Sequence, residues 1–217
     1  MLDVSVLIGN WDRYMTGFGN TLAISVLALI GSFVIGTLFA VLRIAPNRLL
    51  NIIGAAYVEF VRNIPLILIV FLFYNGLPAL HLNLNGFVAG TLGLTVYTSA
   101  FIAEAIRAGI LSVPQGQTEA ARSAGLTYVQ TMRHIILPQA MRIVIPPLGN
   151  QFLNLIKNSS VLGVIAGLDL MYYGDLINLD TFKTFSVYIF VGMFYLILTI
   201  PMSFAVNALE RRMARSG

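Results

Sequence analysis

Cysteine is absent from the 217 residues of this chain. No disulfide framework, thiolate nucleophile or cysteine-ligated metal can be built from it. Charge is scarce too: 10% of residues are Asp, Glu, Lys or Arg, where a soluble domain carries about 25%. The only lysines are Lys157 and Lys183, and neither follows a glycine. A Walker A loop therefore cannot form, and the chain holds no nucleotide by that means. Histidine is limited to His81 and His134, each in a polar connection and neither near a second His or a Cys. That excludes a metal site. It also leaves no base at membrane depth to activate a serine, and no Gly-x-Ser-x-Gly run occurs, so an intramembrane hydrolase is rejected. No internal repeat or low-complexity stretch is visible.

What fills the chain instead is apolar residues, at 58%. Residues 21–42, 64–103 and 184–209 carry no Asp, Glu, Lys or Arg, and a membrane-spanning helix needs roughly 20 apolar residues. The chain is therefore read as an all-α, polytopic membrane protein forming a single domain over residues 1–217. Five spans are expected: about 21–42, 53–74, 86–106, 141–163 (starting near Pro146 and Pro147) and 185–207. Asp3 and Asp12 precede the first span with no early Lys or Arg. That is unlike the basic start of a cleaved leader, so the first segment is expected to stay in the membrane.

Charge decides the orientation. One set of connections and the C-terminal tail hold Arg43, Arg48, Arg107, Arg122, Arg133, Arg142, Arg211, Arg212 and Arg215. The other set holds only Arg13 and Lys183, with Asp3, Asp12, Asp169, Asp175 and Asp180. Positive residues mark the cytoplasmic side, which puts the N-terminus outside and the C-terminus inside. The net charge of +4 is thereby explained as a topology signal. The basic residues form no continuous patch, so nucleic acid is excluded as a partner.

The most polar stretch, residues 111–142, predicts two short helices joined at a glycine. Pro114 suits a helix start, residues 117–124 are mostly good helix formers, and Gly125 permits a tight turn. The second helix runs from about Tyr128 and is expected to stop or kink at Pro138. Within this segment lie Glu119-Ala120-Ala121, Gly125, Ile135 and Leu137-Pro138. They match the pattern EAA-x3-G-x9-I-x-LP at every fixed position. An ordinary connecting loop with a Glu119–Arg122 pair is the competing description.

These residues resemble the cytoplasmic signature of the membrane subunits of bacterial ATP-binding-cassette importers. Arg62-Asn63-Ile64-Pro65, Tyr97 to Glu104, Arg107 to Ile110, Ser112 to Gln117, Leu137 to Arg142 and Lys157-Asn158-Ser159-Ser160 are similar to the polar amino acid permeases within that group. The similarity covers about residues 57–165. It implies a type I importer fold in the bacterial inner membrane and a dimer of permease subunits, identical or paired with a sister. A cytoplasmic ATPase dimer would hold the ATP and magnesium, and an extracellular or periplasmic binding protein would deliver the amino acid. It further implies that Glu119, Ala120, Ala121, Arg122, Gly125, Leu137 and Pro138 form the coupling segment on which the ATPase docks. No cofactor is expected on the chain itself, and no enzymatic activity.

Polar groups at bilayer depth are costly and point to a substrate path. With the fourth span starting at Arg142, Asn150 lies about 12 Å in and Lys157 about 22 Å. Asn150, Asn154 and Lys157 share one helix face within about 60°, flanked by Gln151 and Asn158. In the second span Arg62 is expected about 14 Å deep, beside Asn63 and the helix-breaking Pro65. Other descriptions stay open: Lys157 snorkelling to the interface, and Arg62 paired with Glu59. Glu104 is a candidate gate, or a helix-end partner of Arg107.

An α-carboxylate would suit Lys157 or Arg62, leaving Ser159, Ser160 and the asparagines for amide or ammonium groups. No acid lies in the stripe, which favours glutamine or glutamate over arginine, lysine or histidine as cargo. Basic amino acids are the alternative. An ATP-independent secondary transporter is a second one, although it needs inverted repeats or an ion-coupling acid, and Glu59 is the only candidate near the required depth.

Overall fold

The computed structural model describes residues 2–215, with side chains as far as Met213; the side chain of Arg215 lies outside them. All regular elements among the described residues are helical. Ten α-helices follow in chain order. They are α1 (Val4–Gly9), α2 (Trp11–Ile44), α3 (Arg48–Arg62), α4 (Leu66–Phe71), α5 (Gly86–Leu111), α6 (Gln115–Ser123), α7 (Tyr128–Thr131), α8 (Leu137–Asn158), α9 (Leu170–Thr181) and α10 (Thr184–Arg215).

Helices α2, α5 and α10 are each long and apolar enough to cross a bilayer alone. Two further crossings are bent: residues 48–62 with 66–80, at 103°, and residues 128–165 with 170–181, at 47°. The packing fixes their directions. A Cβ on Gly31 would meet Thr95, and one on Gly36 would meet Ser99 and Ile102, so α2 and α5 run parallel. Gly90 abuts Leu162 and Gly109 abuts Val144, so α8 returns antiparallel to α5. Gly149 abuts Val206 and Gly174 abuts Val191, which brings α10 back again. Gly54 sits against Arg43 while Val70 reaches Gly93, so α3 and α4 together climb from one end to the other. The outcome is five alternating passes.

Small side chains build the interior. On α2 the buried positions are Tyr14, Gly17, Thr21, Ile24, Ser25, Ala28, Ser32, Gly36 and Ala40, a helical face made mostly of small residues. Leu22, Val26, Ile30, Val34, Leu38 and Val41 face outward instead. Lipid is as apolar as leucine, so helices associate through close backbone approach rather than by hiding large side chains. A soluble helix shows the reverse distribution.

The spans differ from the sequence reading in three ways. The first and last are longer, beginning at Trp11 and running on to Arg215. The second breaks where Asn63 caps the end of α3 by donating to the Glu59 carbonyl and Pro65 supplies no N–H. Ile64 N–H donates to the Val61 carbonyl at 3.4 Å, so the oxygen that Pro65 cannot reach is still bonded. The fourth does not start near Pro146 and Pro147, which both lie inside α8. It continues straight from α7 through a π-turn at Met132–Ile136, and Pro138 falls just after that turn, where the helix carries on instead of ending. Residues 170–181, expected as an outer connection, form α9 and pack on α2 and on the 3-10 turn Ser159–Ile165 at the far end. Asp169 is there fully buried rather than solvated. It caps α9 by accepting from Met171 N–H at 3.0 Å, because Ala166 and Leu168, both at positive φ, turn the chain inward before it.

The end opposite α6 is tied by ion pairs: Arg13 to Asp180 and Lys183 to Asp3, each at 2.5 Å. The end carrying α6 and α7 holds the arginine-rich connections. We call it the motif end.

Candidate functional site

Helix α6 and the start of α7 form a protruding knob. Gly125 has φ +86°, a left-handed conformation that side chains resist. Its N–H donates to the Arg122 carbonyl at 3.0 Å and that of Leu126 to the Ala121 carbonyl at 3.1 Å, the paired bonds that close a helix at glycine. Thr127 then starts the next helix with a reciprocal cap: Gln130 N–H donates to its hydroxyl, and its own N–H donates to the Gln130 side chain at 2.8 Å. Ala121 points inward, whereas Glu119, Ala120, Ala124, Leu137 and Pro138 are exposed. Arg122 does not pair with Glu119; it donates to the Leu126 carbonyl at 3.1 Å. Gln139 reaches Gln117 at 3.4 Å and ties the fourth crossing to α6. This contact links the knob to α8, and the knob's exposed face carries the small side chains Ala120 and Ala124.

Above the knob lies a cluster that the sequence reading did not assemble. Glu104 accepts from Arg107 at 2.7 Å and 3.2 Å. It also bonds Arg43 directly and stands 3.6 Å from Arg62. Arg43 extends a second bond to Glu59 at 3.3 Å. Three helices, α2, α3 and α5, are thus joined by charge at the motif end. Arg62, expected near midplane on a substrate path or else paired with Glu59, instead directs its guanidinium to Glu104 and over the Phe101 ring, 5.6 Å from its centre. Asn63 donates its side-chain amide to the Glu59 carbonyl at 2.6 Å and is occupied in capping. Glu59 is 56% exposed and sits at this end, which removes it as an ion-coupling acid at depth.

The expected stripe on α8 is present as a surface. Asn150, Asn154 and Lys157 are all exposed and share one face, with Gln151 and Asn158 half-buried beside it. Their side chains have no hydrogen-bond or ion-pair partner among the described residues. A cavity of about 270 Å³ adjoins Lys157 and is completed by Thr199 and Ser203 of α10. The serines that follow do not belong to this face in the same way. Ser159 is fully buried and donates to the Ile156 carbonyl at 2.7 Å, while Ser160 donates to the Lys157 carbonyl at 2.8 Å. Among the described residues no group of three His, Cys, Asp or Glu is placed to hold a metal.

A polar face open on one helix of a five-pass helical bundle, with a protruding knob at one end, is the architecture of a type I importer permease subunit. The chain belongs to the family of binding-protein-dependent transport system inner membrane components, whose profile matches residues 32–215. It is 64% identical to the "Probable glutamine ABC transporter permease protein GlnM" of Bacillus subtilis strain 168, over 99% of this chain and 100% of that protein. It is 32% identical to the "Glutamate/aspartate import permease protein GltJ" of Escherichia coli K12, over 93% of this chain and 87% of that one. Among solved structures it is similar to a chain of an amino acid ABC transporter "with histidines", with TM-score 0.92, 33% identity, and 98% and 99% of the two chains covered. The methionine transporter MetNI shares the fold at TM-score 0.76 and 24% identity, over 91% and 94%.

Proposed function

We propose that this chain is one of two permease subunits in an ATP-driven importer of polar amino acids, with glutamine or glutamate as cargo. The observation that carries this is the open face of α8. Asn150, Asn154 and Lys157 cannot face hydrocarbon without a large desolvation cost, so a second subunit and a water-filled path cover them. The path is then lined by amides and one cation, a surface that suits an α-carboxylate and a side-chain amide or carboxylate. The relative at 64% identity is named as a probable glutamine permease, which supports the same reading.

The motif end is the cytoplasmic end. It carries Arg43, Arg48, Arg107, Arg122, Arg133, Arg142, Arg211 and Arg212, against Arg13 and Lys183 at the other, an imbalance that supports the orientation. A separate ATPase dimer docks on Glu119, Ala120 and their neighbours, and its closure is transmitted through Gln117, Gln139 and α8. A binding protein delivers cargo at the far end. Glu104 and its arginines hold the cytoplasmic ends of the crossings together and serve as the gate of the inner end.

A second reading, import of histidine and other basic amino acids, draws on the solved relative with histidines. Uptake into proteoliposomes separates the two, using this subunit with its sister or second copy, its ATPase and its binding protein. ATP-dependent uptake of labelled glutamine or glutamate is expected. Uptake confined to histidine, arginine or lysine replaces the cargo assignment, and ATP-independent uptake overturns the importer reading.

A further inference from the structure

Two adjoining hollows at the motif end have opposite character. The first, about 350 Å³, is lined by Arg43, Arg107 and Arg122, with Gln115, Thr118 and Thr131. No carboxylate is among its lining residues. The second, about 410 Å³, is almost wholly apolar and is bordered by Phe33, Val41, Met141 and Leu148. Ile44, Ile110, Tyr128 and Met132 border both hollows. A charged cavity thus opens directly into a greasy groove.

We propose that these joined hollows bind one anionic phospholipid of the cytoplasmic leaflet, its phosphate among the arginines and an acyl chain in the groove. The depth fits. Arg43 lies one residue from the end of α2 and Arg107 one turn from the end of α5, where headgroups lie. From Ile44 to Phe33 the groove climbs roughly 16 Å along α2, into the hydrocarbon. Its walls face outward, with Phe33 44%, Val41 54% and Met141 46% exposed, so a lipid enters from the side.

The donors are in place. Arg43 spends part of its five N–H groups on Glu104 and Glu59, and Arg107 part of its own on Glu104 alone; the rest are available to an anion. Arg122 sits outside the Glu104 cluster, so its charge is not neutralised there. Thr131 gives an independent sign: it is 2% exposed, lines the charged cavity, and its hydroxyl has no partner. Buried hydroxyls are nearly always bonded, and a phosphate oxygen is a suitable acceptor. A soluble anion would satisfy the arginines but leave the groove unexplained. Because the knob residue Arg122 and the span residues Arg43 and Arg107 share one ligand, the lipid would brace the coupling segment against the bundle.

The test uses the assembled transporter in detergent with added lipid. Trp11 is the chain's single tryptophan, and Tyr128 borders both hollows at 43% exposure. A Trp11→Phe, Tyr128→Trp reporter is compared with Trp11→Phe alone, which gives the background. Dibrominated phosphatidylglycerol should quench the reporter at lower mole fraction than dibrominated phosphatidylcholine. Arg122→Gln should cut that preference roughly fivefold, and Val41→Phe, which narrows the groove and leaves the charges, should weaken quenching by phosphatidylglycerol. Glycerol 3-phosphate should not compete. Equal quenching by the two lipids, or an unchanged preference in Arg122→Gln, overturns the proposal. Competition by glycerol 3-phosphate without acyl-chain quenching makes it a soluble-anion site instead.

Discussion

Arg62, the last residue of α3, lies 3.6 Å from Glu104 of α5, so the second crossing is tied to the third beside its 103° bend. Glu104 carries that tie while also holding Arg107 and Arg43, of which Arg43 is only 10% exposed. Removing the shared carboxylate leaves three guanidiniums facing one another. Glu104→Gln should lose about 2 kcal/mol of stability, less than a fully buried pair would because the group is partly exposed. Glu59→Gln, at an exposed site, should cost under about 1 kcal/mol. Thermal unfolding in detergent reads both, and equal losses would show that Glu104 is no hub.

The knob separates folding from coupling. Glu119 is exposed and unpaired with Arg122, so Glu119→Ala should leave folded yield unchanged while ATP-driven uptake falls. Gly125→Ala meets no atom within 4 Å, yet it must hold φ +86°, at a cost of about 1 kcal/mol. It should lower uptake more than ATPase activity. Uptake at the parent rate in both variants would remove the coupling role.

Lys157 tests the polarity of the path. Lys157→Met keeps most of the side-chain volume and removes the cation from the α8 face. Assembly should be unaffected, and the substrate concentration for half-maximal uptake should rise about tenfold, as for loss of a charge-assisted bond of about 1.5 kcal/mol. An unchanged dose response would make Lys157 an interfacial anchor.

The tie at the end opposite α6 has a defined pH range. Lys183 and the Ser5 hydroxyl hold the Asp3 carboxyl down to about 2 from its ordinary 3.8. A group lowered on folding stabilises the fold above its unfolded value and loses that effect as pH falls through the folded one. Asp3→Asn should therefore melt below the parent at pH 5 to 7, and the two should converge between pH 4 and 2. A gap that closes already near pH 6 would point to another group.

Much of this was legible beforehand, for identifiable reasons. Charge-free runs and arginine placement gave five passes, because burying charge in lipid is so costly that composition alone reveals a span. The Gly125 turn and the α8 stripe followed from local chemistry and helical spacing. Pro138 and Pro146-Pro147 misled, since a π-turn and neighbouring crossings let a membrane helix run through proline. The Glu104 cluster was invisible because Arg43, Arg62 and Glu104 lie on three helices whose relative heights no single-helix periodicity encodes. Asp169 was misplaced for a similar reason: two left-handed residues, Ala166 and Leu168, fold it inward, and neither residue type advertises that conformation.

The most direct measurement takes advantage of the absence of native cysteine. Asn154→Cys and Leu38→Cys, each in the assembled transporter, are exposed to a charged, membrane-impermeant thiol reagent, with uptake followed over time. Leu38 is 56% exposed on the outward face of α2 and should stay unmodified in lipid. The account predicts modification at Asn154, loss of uptake, and slower modification when saturating substrate is present. An Asn154→Cys thiol as unreactive as that at Leu38, with uptake intact, would contradict a water-filled path along α8.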